Sequence, residues 1–376
     1  MNEPVPNQSL GSQRLISLDA LRGFTIAAMV IVNDPGSWEH IYKPLEHAKW
    51  NGCTITDLVF PFFLFIVGVS IALAYSKRVS VNTPRKDLYK KIISRAVKIY
   101  LLGMLLWLLG MIGHFSWEGI RWTGVLHRIA VVFLVCALLY LNSNWKTQAW
   151  TAVTLLVIYW IVMAYIPVPG IGKPDLSGPM NNWAHYLDGI LLPGYMWQKT
   201  WDPEGILSTI PAIATGITGM LVGKLILTIQ DPYKKLVWLF FAGFSAYAIG
   251  ELWDQFFPIN KNIWTSSYVL YTSGLATMSL AACILIVDML GIKNWTKLGR
   301  VYGANAIATY IIAGILPGLF FLNLSGNNSL NSLFMDGLTG AGLAPKFVSF
   351  LYAVGYMLVC YIPAYILYKK KIFIKL

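Results

Sequence analysis

Residues 58–75 read LVFPFFLFIVGVSIALAY, a run of apolar and small residues with no charged side chain. As a helix rising about 1.5 Å per residue, a run of this length matches the roughly 30 Å hydrocarbon core of a bilayer. Asp57 stands just before it and Lys77-Arg78 just after it, so its ends are polar. Working outward, similar runs recur at 15–32, 92–112, 124–141, 149–166, 205–229, 236–249, 266–290, 302–324 and 347–368. The run at 236–249 is the weakest, being short and followed at once by Glu251 and Asp254. Over the whole chain 56% of residues are hydrophobic and only 12% are charged, whereas a soluble domain spends about a quarter of its residues on Asp, Glu, Lys and Arg. The expected fold is therefore all-α: a polytopic membrane helical bundle of about ten transmembrane helices, in place of the two or three soluble domains that length alone would allow.

Charge then orients the bundle. With the N-terminus inside, twenty of the 29 Lys and Arg fall on the cytoplasmic side, densest at Lys77, Arg78, Arg85, Lys86, Lys90 and Lys91. Seven fall opposite (Lys43, Lys49, Arg121, Lys173, Lys199, Lys261, Lys346), and Arg22 and Arg128 lie within spans. Cytoplasmic loops carry the excess of Lys and Arg, so both termini are expected to be cytoplasmic. Residues 1–14 form a tail, 15–368 the transmembrane domain and 369–376 a basic tail. The net charge of +12 is then a topology signal and an attraction to anionic lipid headgroups. No basic stripe interleaved with aromatics points to nucleic acid. The first run is not expected to be a cleavable signal, since its flank is nearly neutral and Asp19 and Arg22 interrupt its start. Cys136, Cys283 and Cys360 lie in spans and only Cys53 outside, which gives neither a disulfide framework nor a metal-ligand spacing. No Walker loop or Gly-rich dinucleotide fingerprint is present, which disfavours an ATP-driven pump.

On this topology all five histidines lie on or near the outer face. The densest polar stretch is the first outer loop, with Asn33, Asp34, His47, Trp50, Asn51, Thr54, Thr56 and Asp57. Imidazole can take and return a proton near neutral pH, and His47 precedes a Lys-Trp-Asn-Gly turn that leaves it reachable. Asp57 is either a substrate contact or only the acid of a helix first turn. Trp201-Asp202-Pro203-Glu204 is either a sound helix start or a pair of carboxylates for sugar hydroxyls or an amine, beside an indole face. Asn260-Lys261-Asn262-Ile263-Trp264 sets one cation among amides, and reads equally as a polar loop with an interfacial Trp. Within the spans, Asp19 and Arg22 can pair on one helix face, and Arg128, next to His127, should face the bundle interior, where it can bind an anionic group.

Ser17-Leu18-Asp19-Ala20-Leu21-Arg22-Gly23, Val32-Asn33, His47-Ala48-Lys49-Trp50-Asn51-Gly52, Asp57-Leu58-Val59-Phe60-Pro61, Gly124-Val125-Leu126-His127-Arg128, Asp202-Pro203-Glu204-Gly205 and Asn260-Lys261-Asn262-Ile263-Trp264 together resemble the heparan-α-glucosaminide N-acetyltransferase family. The resemblance implies a membrane enzyme that moves acetyl from cytosolic acetyl-CoA to a glucosamine amine on the far side, without a metal. It also implies that His47 is the catalytic histidine and Asn33 the asparagine accompanying it. Asp34, Trp50, Asp57, His127, Arg128, Asp202, Glu204, Lys261, Asn262 and Trp264 become the expected substrate contacts. Arg22, Arg95, Lys224 and Arg300, chosen by location, are the expected contacts of the anionic CoA end. A short form is expected, with only about 14 residues before the first span where the family's animal members carry a large lumenal N-terminal domain, and His127 stands where glutamine is expected. A bacterial inner membrane, an amino-sugar or glycan acceptor and lipid neighbours are the expected setting, with a homodimer left open. Two other readings stand beside this one. The first is an amino-sugar transporter; the second is a surface-polysaccharide O-acyltransferase, through a weaker resemblance of the Asp-x-x-Arg-Gly opening to the acyltransferase-3 proteins.

Overall fold

A computed structural model describes residues 15–80, 83–325 and 328–374. The expected N-terminal tail, 1–14, and the last two residues of the basic tail lie outside that set. Fourteen α-helices follow in chain order: α1 (Ile16–Asn33), α2 (Ile55–Ser80), α3 (Arg85–Gly110), α4 (Val125–Asn142), α5 (Trp145–Tyr165), α6 (Trp183–Leu191), α7 (Ile206–Thr228), α8 (Pro232–Asp254), α9 (Ser266–Cys283), α10 (Lys297–Ala304), α11 (Ala306–Ile315), α12 (Pro317–Phe320), α13 (Leu330–Gly340) and α14 (Pro345–Lys369). A minimal antiparallel strand pair, Asn323–Ser325 with Asn328–Ser329, joins α12 to α13.

Among the described residues nine helices are long and apolar enough to cross a membrane: α1 to α5, α7, α8, α9 with its continuation to Met289, and α14. The run at 236–249, weak in sequence, belongs to the 23-residue helix α8. The run at 302–324 is not one helix. It breaks at Asn305 into α10 and α11, and again at Pro317. Proline removes a backbone donor at the second break. At the first, the Asn305 side chain is drawn off the helix axis: its Nδ2 donates to the Ile372 carbonyl and its Oδ1 accepts from the Ile374 N–H.

Helix α7 is the centre of the bundle, with 61% of its span buried, whereas α3 shows only 17% and turns Ile93, Val97, Leu101 and Leu105 outward as a lipid-facing row. Without a hydrophobic force between helices in lipid, close packing needs small residues. A Cβ on Gly219 would overlap the Phe65 carbonyl and one on Gly68 the Gly216 carbonyl, so α2 and α7 meet backbone to backbone. Gly23, Gly299 and Gly303 do the same for α1 against α10.

Candidate active site

The His47 loop is fixed at both ends. Gly52, at φ +105°, donates its N–H to the Ile259 carbonyl at 2.7 Å, and the Asn260 amide donates to Asn51 Oδ1 at 3.0 Å. These bonds lay residues 47–52 against the loop that follows α8. Asp57, in the first turn of α2, gathers what remains. Its Oδ2 accepts the Ala48 N–H at 2.9 Å, the Thr54 N–H at 3.1 Å and the Thr54 hydroxyl at 3.0 Å. Its Oδ1 lies 2.7 Å from His47 Nδ1 and 3.4 Å from Lys261 Nζ. The Asp57 side chain is 1% exposed and that of His47 46%. With Nδ1–H donated to this buried carboxylate, Nε2 is the ring's acceptor, 3.5 Å from Lys261 Nζ. Asp57 is the acid of the first turn of α2, and its carboxylate is taken up by His47, Lys261 and the N–H groups of its own loop. Lys261 Nζ also stands 3.0 Å from His47 Nδ1, so Asp57 Oδ1 is the acceptor common to both side chains. Burial pushes the Lys261 ammonium below its ordinary pKa, and the Asp57 charge is the largest influence opposing that.

Beside this triad a cleft of about 180 Å³, partly open to solvent, descends into the bundle. Asn33, His47, Thr56, Glu204 and Lys261 line its polar mouth, and Ile26, Met29, Phe60, Phe63, Ile129 and Ile307 its apolar depth. A few polar groups converging on an apolar cleft is the usual construction of a ligand site.

The other expected contacts separate from this group. Asp202 is fully occupied: Arg121 forks onto it at 2.7 Å through both Nε and Nη2, and the Trp197 and Glu204 N–H groups complete its shell. Burial opposes its ionisation and Arg121 outweighs burial, holding the carboxyl below the usual range. The same guanidinium pairs with Glu204 at 2.6 Å and lies over the Trp107 and Trp197 rings, so Glu204 reaches the cleft from a braced position. Asp188, which the sequence did not single out, accepts the N–H groups of Asp202 and Ile206 at the head of α7, and burial raises its carboxyl to about 6. Trp264 is 1% exposed, its indole donating to Thr215 Oγ1, so it stacks on no sugar. Arg128 does face the interior, but onto Ser208 Oγ, the Gly205 carbonyl and the Trp264 ring; it does not line the cleft. His127 is buried edge-on to Tyr100. Trp50 gives its indole N–H to the Leu176 carbonyl and meets Trp201 edge to face. Asp34 stands outside the cleft lining, and burial raises its carboxyl to about 7. Asn262 is half-buried next to Lys261. Of the four cations assigned to a CoA end, Arg95 lies over the Phe133 ring, Arg300 meets the Tyr368 hydroxyl at 3.4 Å, Lys224 is exposed on α7, and Arg22 lies one turn inward of the cleft. Arg121 was missed by sequence reading; a lone outer-face cation opposite the Asp202-Pro203-Glu204 acids was the available signal.

Fold and site define a class: polytopic helical membrane proteins with an interior cleft that opens beside a carboxylate-oriented histidine. Within that class the chain belongs to the heparan-alpha-glucosaminide N-acetyltransferase catalytic family, whose model matches residues 14–231. It is 29% identical to the Homo sapiens heparan-alpha-glucosaminide N-acetyltransferase over 96% of this chain and 60% of that protein. Against the Mus musculus protein of the same name it is 27% identical over 97% of this chain and 61% of the relative. The chain thus spans about 60% of the length of these relatives. His47, Asp57 and Glu204 fall inside the family match, and Lys261 lies beyond it.

Proposed function

We propose that this protein is a membrane acetyltransferase that transfers acetyl from acetyl-CoA, entering from the cytoplasmic face, to the amine of a glucosamine-type sugar at the outer face. The observation that carries the reading is His47 Nδ1 held on buried Asp57, 2.7 Å away, at the mouth of a cleft that reaches into the bundle, with only Lys261 Nζ, 3.5 Å off, near Nε2 among the described residues. Family membership agrees with it.

The apolar depth suits an acyl-pantetheine arm, because its side chains offer dispersion contacts. At the mouth, the neutral acceptor amine attacks the thioester carbonyl while His47 Nε2 removes its proton. The Asn33 amide and the Lys261 ammonium donate to the carbonyl oxygen as it gains charge. Loss of one such donor typically costs roughly 10²- to 10³-fold in rate. The C–N bond forms, the C–S bond breaks, and the thiolate takes the proton back from the imidazolium. Glu204 accepts from a sugar hydroxyl or the incoming ammonium. Arg22, Arg95, Lys224 and Arg300, on α1, α3, α7 and α10, are the candidates for the donor's phosphates. In a covalent variant of the route, Nε2 itself takes the acetyl group. A burst of CoA released without acceptor supports that variant, and its absence in single turnover supports direct transfer.

His47→Ala is expected to lower kcat by about 10²- to 10⁴-fold, the range for general acid–base catalysis, with the thermal transition of the detergent-solubilised protein unchanged. Retained full acetyl transfer from labelled acetyl-CoA would refute the assignment.

A further inference from the structure

One turn inward of the cleft's lining on α1 stands a guanidinium, that of Arg22. On α1, Thr25, Ile26 and Met29 line the cleft. Arg22, three and four residues before Thr25 and Ile26, shares their face one turn nearer the start of α1. On α2 the innermost lining residue is Phe63, and Ser70 lies two turns further along that face. Beyond the Asn305 break, Ala306 is the first lining residue, and Gly303 stands three positions earlier. Arg22 reaches all three continuations: Ser70 Oγ at 2.7 Å, the Gly303 carbonyl at 3.5 Å and its own helix neighbour Asp19 at 3.2 Å. Beneath the cleft this side chain bridges α1 to α2 and to α10, whose backbone α1 already meets at its glycines.

We propose that Arg22 is the gate at the inner end of the cleft, closed on Ser70 and Gly303 as seen here, and opened when its side chain turns onto the phosphates of an incoming acyl thioester. The proposal rests on the reading that the donor enters from the α1 N-terminal face, but gating does not require acetyl transfer to occur. The helices themselves cannot part cheaply, because Gly23, Gly299 and Gly303 bring the α1 and α10 backbones into contact. A side-chain rotation is the low-cost movement left. Among the described contacts the acceptors of Arg22 on the other helices are a neutral hydroxyl and a backbone carbonyl, both weaker partners for a guanidinium than a phosphate, while its charged acceptor, Asp19, lies on its own helix. Ser70 keeps a second bond to the Ile66 carbonyl at 2.7 Å, so it stays satisfied when Arg22 leaves. The Arg22 side chain is 22% exposed and that of Asp19 13%, so the pair is not sealed within the protein.

The test reads access to the cleft floor. Thr25→Cys is made with the partly exposed Cys53 and Cys283 changed to serine, and a membrane-impermeant maleimide is added from the Lys86 face of sealed vesicles. With Arg22 in place labelling is expected to be slow; in Arg22→Ala it rises about tenfold or more, the factor for one charged hydrogen bond. Arg22→Lys, which keeps the charge without the fork, is expected to fall between them and carries the comparison if the alanine variant does not fold. Equal labelling rates with and without the arginine overturn the gate. The contrast must persist in a His47→Ala background, which separates failure of the gate from failure of the acetyltransferase reading. In kinetics, Arg22→Ala is expected to raise KM about tenfold for acetyl-CoA and to leave KM unchanged for S-acetyl-N-acetylcysteamine, which lacks phosphates. An equal rise for both donors overturns the phosphate contact.

Discussion

His47 is half exposed and the carboxylate that orients it is buried, and the difference sets what each can do. Water and substrate reach the imidazole, while Asp57 keeps its charge on Nδ1–H without being diluted by solvent. Asp57→Asn preserves shape but presents a neutral amide, so the tautomer is no longer pinned. Its kcat for acetyl transfer is expected to fall about 10²- to 10⁴-fold, with the KM for acceptor little changed; a kcat within about threefold of the parent would remove Asp57 from the mechanism. Asp34 teaches the opposite lesson. Burial raises its carboxyl from the ordinary range to about 7, so between about pH 4 and 7 the folded chain holds a proton that the unfolded chain has lost. Stability at this site therefore declines as pH rises through that window. Asp34→Asn, neutral throughout, should raise Tm over the parent by more at about pH 8 than at about pH 5; an equal or reversed difference in detergent melts would contradict this.

Among the elements, the broken helix and the glycine crossings position the cleft. Helix α11 brings Ile307 and Tyr310 to the wall only because the chain turns at Asn305. The run at 302–324 nevertheless reads as one continuous span, since hydropathy does not register a turn held by the backbone of residues 372 and 374. The glycines were equally silent, because a glycine in an apolar run states that a helix is tolerated but not which backbone comes near. Gly23→Ala would drive a methyl into the Gly299 carbonyl and is expected to cost about 1–3 kcal/mol or more as overpacking. Gly110, with open space around its Cβ position, serves as the contrast: Gly110→Ala should leave Tm unchanged or slightly raised. Thermal unfolding of both in one detergent decides the matter, and a tolerated Gly23→Ala would mean that α1 and α10 do not touch as described.

At the scale of the molecule, the proposed reaction places donor on one face and acceptor on the other. Lys49, two residues from His47, and Lys173 are both exposed, as is Lys86 at the head of α3. In a Cys53→Ser background, Lys49→Cys and Lys173→Cys are expected to react with an impermeant maleimide from one side of the membrane and Lys86→Cys from the other. Labelling of Lys49→Cys and Lys86→Cys from the same side would end the transmembrane scheme. It would leave a histidine site with donor and acceptor on one face.

The sequence by itself determined the bilayer as solvent, the approximate span count, the uneven division of cations and the loop that carries His47, because hydropathy, charge and turn chemistry are properties of neighbouring residues. Only the tertiary structure decided which polar groups remain available for chemistry. Asp202 and Glu204 look alike in sequence, yet Arg121, 81 residues before Asp202, occupies the first completely and braces the second at the cleft. Lys261 joins His47 across 214 residues, and Trp264, three positions later, is buried. A charge acts where folding leaves it unspent by a partner, and those partners lie far away along the chain.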